Sequence, residues 1–218
     1  MFSQTTTVFL DLLSTLPLIL VFWIAFPPTD LFTFHPLFVS LGMLGFMPWG
    51  ARILDRQLQW IQHVPRTQRL RWHWIIQLFS GVLTCLGVAA VFGNKVRHGK
   101  PHFTTWHAFL GLILLIYVIV ELAAGVVLHW KLWPVQRWIA YGQVRRYHMY
   151  AGLGLFALAA GTFILGFRSS WFKGKVLSLL RETHEPIAML LLSAFVICSL
   201  LRMILQVGRF SRSSSRAN

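Results

Sequence analysis

Long apolar segments separated by short basic loops run through almost the whole chain. A helix needs about 20 mainly apolar residues to cross a hydrocarbon core of about 30 Å. These runs are too long and too continuously apolar for the alternating strands of a membrane barrel. The pattern therefore predicts an all-α integral membrane protein with six spanning helices, at residues 8–27, 33–54, 71–93, 104–128, 146–167 and 185–206.

Composition supports the same class. The chain has 218 residues, of which 56% are hydrophobic and only six are acidic, and this composition excludes an ordinary soluble domain. We expect one membrane unit over residues 1–210 and a disordered Ser/Arg-rich tail over 211–218. The first segment lacks a basic leading region and carries Asp11, so we expect it to be retained rather than cleaved as a signal peptide.

The net charge of +14 comes from basic residues in the loops and does not indicate a nucleic-acid-binding surface. Basic residues are spread over the interhelical loops instead of following one face, so anionic headgroups of a lipid bilayer are the expected partner and nucleic acid is not. Six spans place both termini on one side. That side carries twelve of these basic residues against seven on the other, which predicts cytoplasmic termini in either the plasma membrane or an endomembrane vesicle.

Four histidines lie about one turn inside the ends of four different apolar segments. Under this topology His35 and His107 share the outer level, while His73 and His148 share the cytoplasmic level. The two levels are separated by roughly 20 Å along the membrane normal. Neutral imidazole is an axial ligand of haem iron, so the pattern predicts two bis-histidine haem sites stacked across the bilayer.

Glu121 is the only acid deep within a predicted span, and it lies fourteen residues after His107 on the way to the cytoplasmic level. Three functional roles are open for it: it can orient the second ring nitrogen of a ligand, lie near Arg145 or Arg146, or accept a proton. The structural alternative is a neutral glutamic acid bonded to a neighbouring helix.

A second group of candidates lies on the outer side. These residues could help to bind an electron acceptor near the outer haem, although a solvated loop explains them as well: Arg97, His98, Lys100, His102 and His184.

Four segments of the chain resemble the eukaryotic cytochrome b561 family, and particularly its short six-helix members with no appended domain. The segments are FTFHPLFVSLG with His35, RLRWHWIIQ with His73, TTWHAFLGLILLIYVIVELAAG with His107 and RRYHMYAGLG with His148. The resemblance implies a four-helix core, made of helices two to five, that holds two b haems. It also implies that His35 and His107 bind the outer haem and that His73 and His148 bind the cytoplasmic one.

The resemblance further implies a transmembrane oxidoreductase and a possible homodimer. Cytoplasmic ascorbate would donate an electron that crosses the haems and reduces monodehydroascorbate or a ferric chelate on the far side. Two positions depart from the family pattern: Glu121 stands where glutamine is usual, and arginine replaces the lysine just before the third-helix histidine. The candidates for binding the anionic donor, which the positive-inside rule also explains, are Arg69, Arg71, Arg145 and Arg146.

Two other functions remain open from the sequence. A quinol-linked di-haem cytochrome b would use the same ligands but would react with quinols rather than ascorbate. A non-enzymatic metal or proton transporter would instead line a path with these histidines, and the purified protein would then be colourless.

Overall fold

Every regular element in the part of the chain that the structure describes is a helix. The computed structural model describes residues 4–55, 61–132, 138–179 and 185–215, so the predicted candidate His184 lies outside the described residues. The elements are, in chain order, α1 (Gln4–Ala25), α2 (Phe34–Ser40), a π-helix (Leu41–Phe46), α3 (Met47–Arg52), α4 (Arg66–Arg97), α5 (Trp106–Trp130), α6 (Tyr141–Phe167), α7 (Ser170–Leu179) and α8 (Glu185–Ser215).

Four of these helices are long and apolar enough to cross a membrane, which confirms the prediction of an all-α membrane protein. The remaining two predicted spans are also helical: α1 carries a shorter apolar stretch, and the second segment is helical from Phe34 to Arg52. The count of six spans and the side of the termini stay predictions. The four helices cover Arg66–Arg97, Trp106–Trp130, Tyr141–Phe167 and Pro186–Gly208.

The second predicted span is not one regular α-helix, because a π-helical stretch interrupts it. We call α2, the π-helix and α3 together the composite helix. Within the π-helix the carbonyl of Gly42 accepts a hydrogen bond of 2.8 Å from the hydroxyl of Ser80 on α4. A Cβ atom at Gly42 would lie 2.7 Å from Oγ1 of Thr84, so the glycine permits the close approach of these two helices.

The start of the composite helix is fixed by a polar turn outside the apolar segment. Oδ1 of Asp30 accepts hydrogen bonds from the backbone N–H and the hydroxyl of Thr33, at 2.8 and 2.6 Å. These bonds hold the pKa of Asp30 below its usual value. The first turn of the helix that carries His35 is therefore anchored.

The helices pack side by side in a closed ring. α1 contacts α2 and α8, the composite helix contacts α4, α4 contacts α5, α5 contacts α6, and α6 contacts α8. The composite helix, α5, α6 and α8 share one apolar cluster that includes Met43, Val118, Ala159 and Met203. The four helices that carry the candidate histidines are thus consecutive neighbours in the ring, with α1 and α8 closing it.

Polar groups also join α1 and α8 to the composite helix. The guanidinium of Arg52 donates to the hydroxyl of Ser14 at 2.9 Å, and Arg202 on α8 donates to Asp55 at 3.3 Å. Arg52 is only 2% exposed because it packs between helices. Buried charges of this kind need polar partners, and these contacts supply them.

The last helix extends beyond its predicted end. α8 reaches Ser215, five residues into the segment 211–218 that the composition predicts as a disordered tail. No proline or glycine follows Gly208, so the sequence contains nothing that ends the helix at residue 210. Residues 216–218 lie outside the described residues.

Candidate functional site

The structure brings the four candidate histidines together as two facing pairs. The rings of His35 and His107, from the composite helix and α5, have centroids 6.1 Å apart and planes inclined by 77°. The rings of His73 and His148, from α4 and α6, have centroids 6.4 Å apart and planes inclined by 84°. We call these the first and the second site. The same pairs follow from the predicted depths of the histidines.

At the first site, both rings contact backbone carbonyls through Nδ1. Nδ1 of His35 lies 3.0 Å from the carbonyl oxygen of Gly87 on α4. Nδ1 of His107 lies 2.9 Å from the carbonyl oxygen of Thr162 on α6. A carbonyl oxygen can only accept, so each Nδ1 carries the proton and Nε2 keeps the lone pair that a metal requires.

The second site combines one backbone carbonyl with one carboxylate. Nδ1 of His73 lies 2.8 Å from the carbonyl oxygen of Gly50, and Nδ1 of His148 lies 2.7 Å from Oε2 of Glu121. Neither atom of the His148 contact has another hydrogen-bond partner among the described residues. Of the roles open for Glu121 in the sequence, the structure shows the contact with the second ring nitrogen of a candidate ligand.

Each of the four central helices contributes to both sites. On α4, α5 and α6 the two contributions lie fourteen residues apart, which corresponds to about 21 Å of helix rise and fits inside a hydrocarbon core of about 30 Å. The contributions to the first site, from the composite helix, α4, α5 and α6 in that order, are His35, Gly87, His107 and Thr162. The contributions to the second site, in the same order, are Gly50, His73, Glu121 and His148.

The geometry of both pairs fits an axially ligated haem. Two imidazoles that coordinate one metal from opposite sides, with metal–nitrogen bonds of about 2 Å, hold their centroids roughly 6 Å apart. A macrocycle also needs space beside its ligands. A Cβ at Gly152, one turn after His148, would meet nothing within 4 Å, and one at Gly111, one turn after His107, would meet only Thr162 at 4.0 Å.

The predicted donor-side arginines differ in exposure. Arg71 and Arg146 are exposed near the second site, and Arg145 is partly buried. Arg69 is only 8% exposed, because it lies one turn before His73 on the inward face of α4. Its Nε and Nη1 have no hydrogen-bond partner within the described ranges, so this buried cation is set apart from the three other arginines.

The predicted acceptor-side residues lie in the connection from α4 to α5. Arg97, His98 and Lys100 are exposed, and Nδ1 of His98 contacts the carbonyl of Asn94 at 2.7 Å, which closes the end of α4. The ring of His102 stacks on Phe92 with centroids 4.3 Å apart. These local contacts order the loop. Among the residues that the structure describes, no three or more His, Cys, Asp or Glu side chains form a cluster that could hold a metal ion.

The backbone partners of the histidines were not predicted from the sequence. The carbonyls of Gly50, Gly87 and Thr162 carry no side-chain signal of their own. One signal was present: Gly87 and Thr162 each follow a candidate histidine by fourteen residues on the same helix, as Glu121 does.

Comparison with known proteins identifies the family. The profile described as Eukaryotic cytochrome b561 matches residues 34–173, which is more than half of the chain. The chain belongs to the eukaryotic cytochrome b561 family. The match begins with α2 and ends within α7, so it contains all four candidate histidines but neither α1 nor α8. Membership of the cytochrome b561 family implies that the chain binds haem b.

Individual cytochrome b561 relatives are named as reductases. The transmembrane reductase CYB561D2 of Bos taurus is 31% identical over 154 residues, covering 70% of this chain and 68% of the relative. Its Homo sapiens counterpart is 30% identical over 154 residues, which again cover 70% of this chain and 68% of the relative. The transmembrane ascorbate-dependent reductase CYB561 of Mus musculus is 24% identical over 139 residues, covering 64% of this chain and 53% of the relative.

Proposed function

We propose that the chain carries single electrons across the membrane through two b haems, one at each histidine site. The electrons pass from cytoplasmic ascorbate to monodehydroascorbate or a ferric chelate on the opposite side. The observation that carries the proposal is the pair of facing imidazoles at each of two levels, with all four Nδ1 atoms engaged. Haem iron supplies the one-electron chemistry, while the protein supplies ligands, spacing and a low dielectric.

The Nδ1 contacts give the histidines their proposed role. Each contact holds a ring in one orientation and keeps Nε2 as the metal-binding nitrogen, which is the usual arrangement of a metal-bound histidine. The levels lie about 21 Å apart along the helices, and a macrocycle at each level fills much of that distance. Haem held at both levels would supply one-electron transfer between the two sites without a further carrier.

Exposed arginines next to the second site support an anionic donor there. Arg71 and Arg146 lie two residues before His73 and His148, and ascorbate is an anion that guanidinium groups attract. The partly buried Arg145 belongs to the same set. The excess of basic loops on the side of the termini supports a cytoplasmic location for this donor site.

Arg69 has a different proposed partner. Its guanidinium is buried one turn from His73, and its Nε and Nη1 have no hydrogen-bond partner among the described residues. A buried cation requires an anion. A carboxylate of the haem at the second site meets that need better than a donor that must enter and leave. At the opposite level, Arg97, His98, Lys100 and His102 form the proposed acceptor surface.

The first experiment counts haem in the purified full chain and in four single variants. We expect two low-spin b haems in the parent, and loss of one haem in each of His35→Ala, His107→Ala, His73→Ala and His148→Ala. Variants of one site should leave the spectrum of the other haem intact. As a matched control, His63→Ala removes an exposed histidine outside both sites and should retain both haems. Full haem content in all four site variants, or a colourless parent, contradicts the proposal.

The second experiment tests the donor and its side. Ascorbate should reduce the haems of vesicle-embedded protein when it is added on the side of the termini, and a quinol should not. Reduction by quinol alone identifies the quinol-linked alternative. Reduction only from the opposite face contradicts the proposed topology.

A further inference from the structure

The four Nδ1 contacts differ in one respect that the proposed function does not use. Three of the acceptors are neutral backbone carbonyls, and the fourth is the carboxylate of Glu121. Glu121 is only 8% exposed, and its Oε2 lies against Nδ1 of His148 with no second partner in the described chain. The asymmetry is therefore a carboxyl group at one site and only neutral carbonyls at the other.

A carboxylate at this position changes the properties of the ligand. It draws the Nδ1 proton towards itself, which makes Nε2 a stronger donor to a metal. A negative charge in a medium of low dielectric also stabilises the more positive, oxidised state of a nearby iron. Both effects act in the same direction, towards a lower reduction potential, and neither is available from the carbonyls at the other three histidines.

We propose that Glu121 is a positioning residue that sets the reduction potential of the haem at the second site below that of the haem at the first. This inference rests on the proposed presence of a haem at each site. With haem bound at both sites, one electron would move from the second site, where the iron would be oxidised, to the first, where it would be reduced. The step needs no proton and no further reactant. Glu121 in this way makes transfer from the second site to the first favourable.

The test is a redox titration of the haem-loaded full chain, followed by visible spectroscopy, for the parent and for Glu121→Gln. Glutamine keeps a carbonyl acceptor of the same size and removes the charge. At a fixed ambient potential we expect the ratio of reduced to oxidised haem at the second site to rise about tenfold, a shift of about 59 mV for a one-electron couple. The ratio at the first site should stay unchanged.

Tyr117→Phe is the matched control. Tyr117 lies one turn before Glu121 on α5, and its hydroxyl donates to the carbonyl of Ala151 on α6 at 2.8 Å. Its removal deletes a polar group between the same two helices without touching His148. Both midpoint potentials should match the parent. Equal shifts in Tyr117→Phe and Glu121→Gln would show that general loosening of α5 and α6 is responsible, which overturns the inference.

Single-site proteins assign the potentials without relying on the Glu121 variant. His35→Ala keeps only the haem of the second site and His73→Ala only that of the first, and the former should titrate at the lower potential. The inference is overturned if His35→Ala titrates at the higher potential, or if the titrations of the parent and of Glu121→Gln superimpose. In either case the proposed function stands as long as the chain binds two haems. Absence of a second haem refutes the proposed function itself, so the two failures are distinguishable.

Discussion

The two histidine sites are built from the same four helices, but different features hold them in place. At the first site both acceptors are backbone carbonyls, so the rings are oriented by how closely the helices approach each other. At the second site one acceptor is a side chain, so that ring is oriented by the identity of a single residue. Glycine substitutions should therefore disturb the first site most, and charge substitutions the second.

The largest difference is expected at the glycines that lie beside the rings. A Cβ at Gly166 would lie 3.0 Å from Cε1 and 3.2 Å from Nδ1 of His107, whereas a Cβ at Gly125 would lie 3.8 Å from Cε1 of His148. Gly166→Ala should push His107 off its carbonyl partner and weaken haem binding at the first site roughly tenfold. Gly125→Ala should retain both haems. Haem content during dialysis against apomyoglobin measures this, and equal loss from both variants contradicts the comparison.

A second difference concerns stability at the glycines whose carbonyls accept from histidines. A Cβ at Gly87 would meet backbone atoms, with 3.1 Å to N of Val39 and 3.2 Å to O of His35. Gly87→Ala should cost about 1–3 kcal/mol through overpacking, because backbone cannot move aside. The three atoms nearest to a Cβ at Gly50 belong to the side chains of Ile76 and Gln77, which can shift more easily than backbone.

Thermal unfolding in detergent compares Gly87→Ala with Gly50→Ala. The melting temperature should fall clearly for the first and little for the second, since alanine also improves helix propensity by about 1 kcal/mol. An equal or larger fall for Gly50→Ala would show that close helix approach matters at least as much at the second site, which contradicts the comparison.

A smaller effect is expected on the rate of reduction by ascorbate, because exposed arginines lie near the second site. Replacing Arg71 and Arg146 by glutamine removes two exposed cations near the second site and should slow ascorbate reduction several-fold. Raised ionic strength should slow the parent but hardly affect this double variant. Arg97→Gln, an exposed arginine at the other end of α4, is the control and should leave the stopped-flow rate unchanged. Equal slowing by Arg97→Gln would remove the donor assignment from the second site.

The smallest effect is expected for a substitution located between the two histidine levels. Ser80 donates from α4 to the carbonyl of Gly42 at 2.8 Å, at neither histidine level. Ser80→Ala should cost about 1 kcal/mol of stability, the usual net value of one hydrogen bond. Both haem potentials should remain those of the parent in the same titration, because the contact reaches neither ring. A potential shift in Ser80→Ala would mean that helix packing, and not the local acceptor, sets the potentials.

Hydrophobic patterning determined the fold class and the helical segments. Each span is a local property of about 20 residues, and the chain carries that information in its own sequence. The ends were less certain: α4 begins at Arg66 and ends at Arg97, beyond the predicted 71–93 on both sides. Polar residues at a membrane surface can continue a helix, and hydropathy does not register them.

The sequence also determined which histidines face each other, because helix polarity and distance from a helix end fix the depth of a residue in the bilayer. Only the tertiary structure decided what holds the second ring nitrogens. The acceptor of His35 lies 52 residues away on α4 and that of His107 lies 55 residues away on α6, and a backbone carbonyl leaves no trace in residue type. The same holds for Glu121: the sequence showed a buried acid with several possible partners. The packing of α5 against α6 selected His148 from among them, because contact between two helices depends on their relative rotation and register.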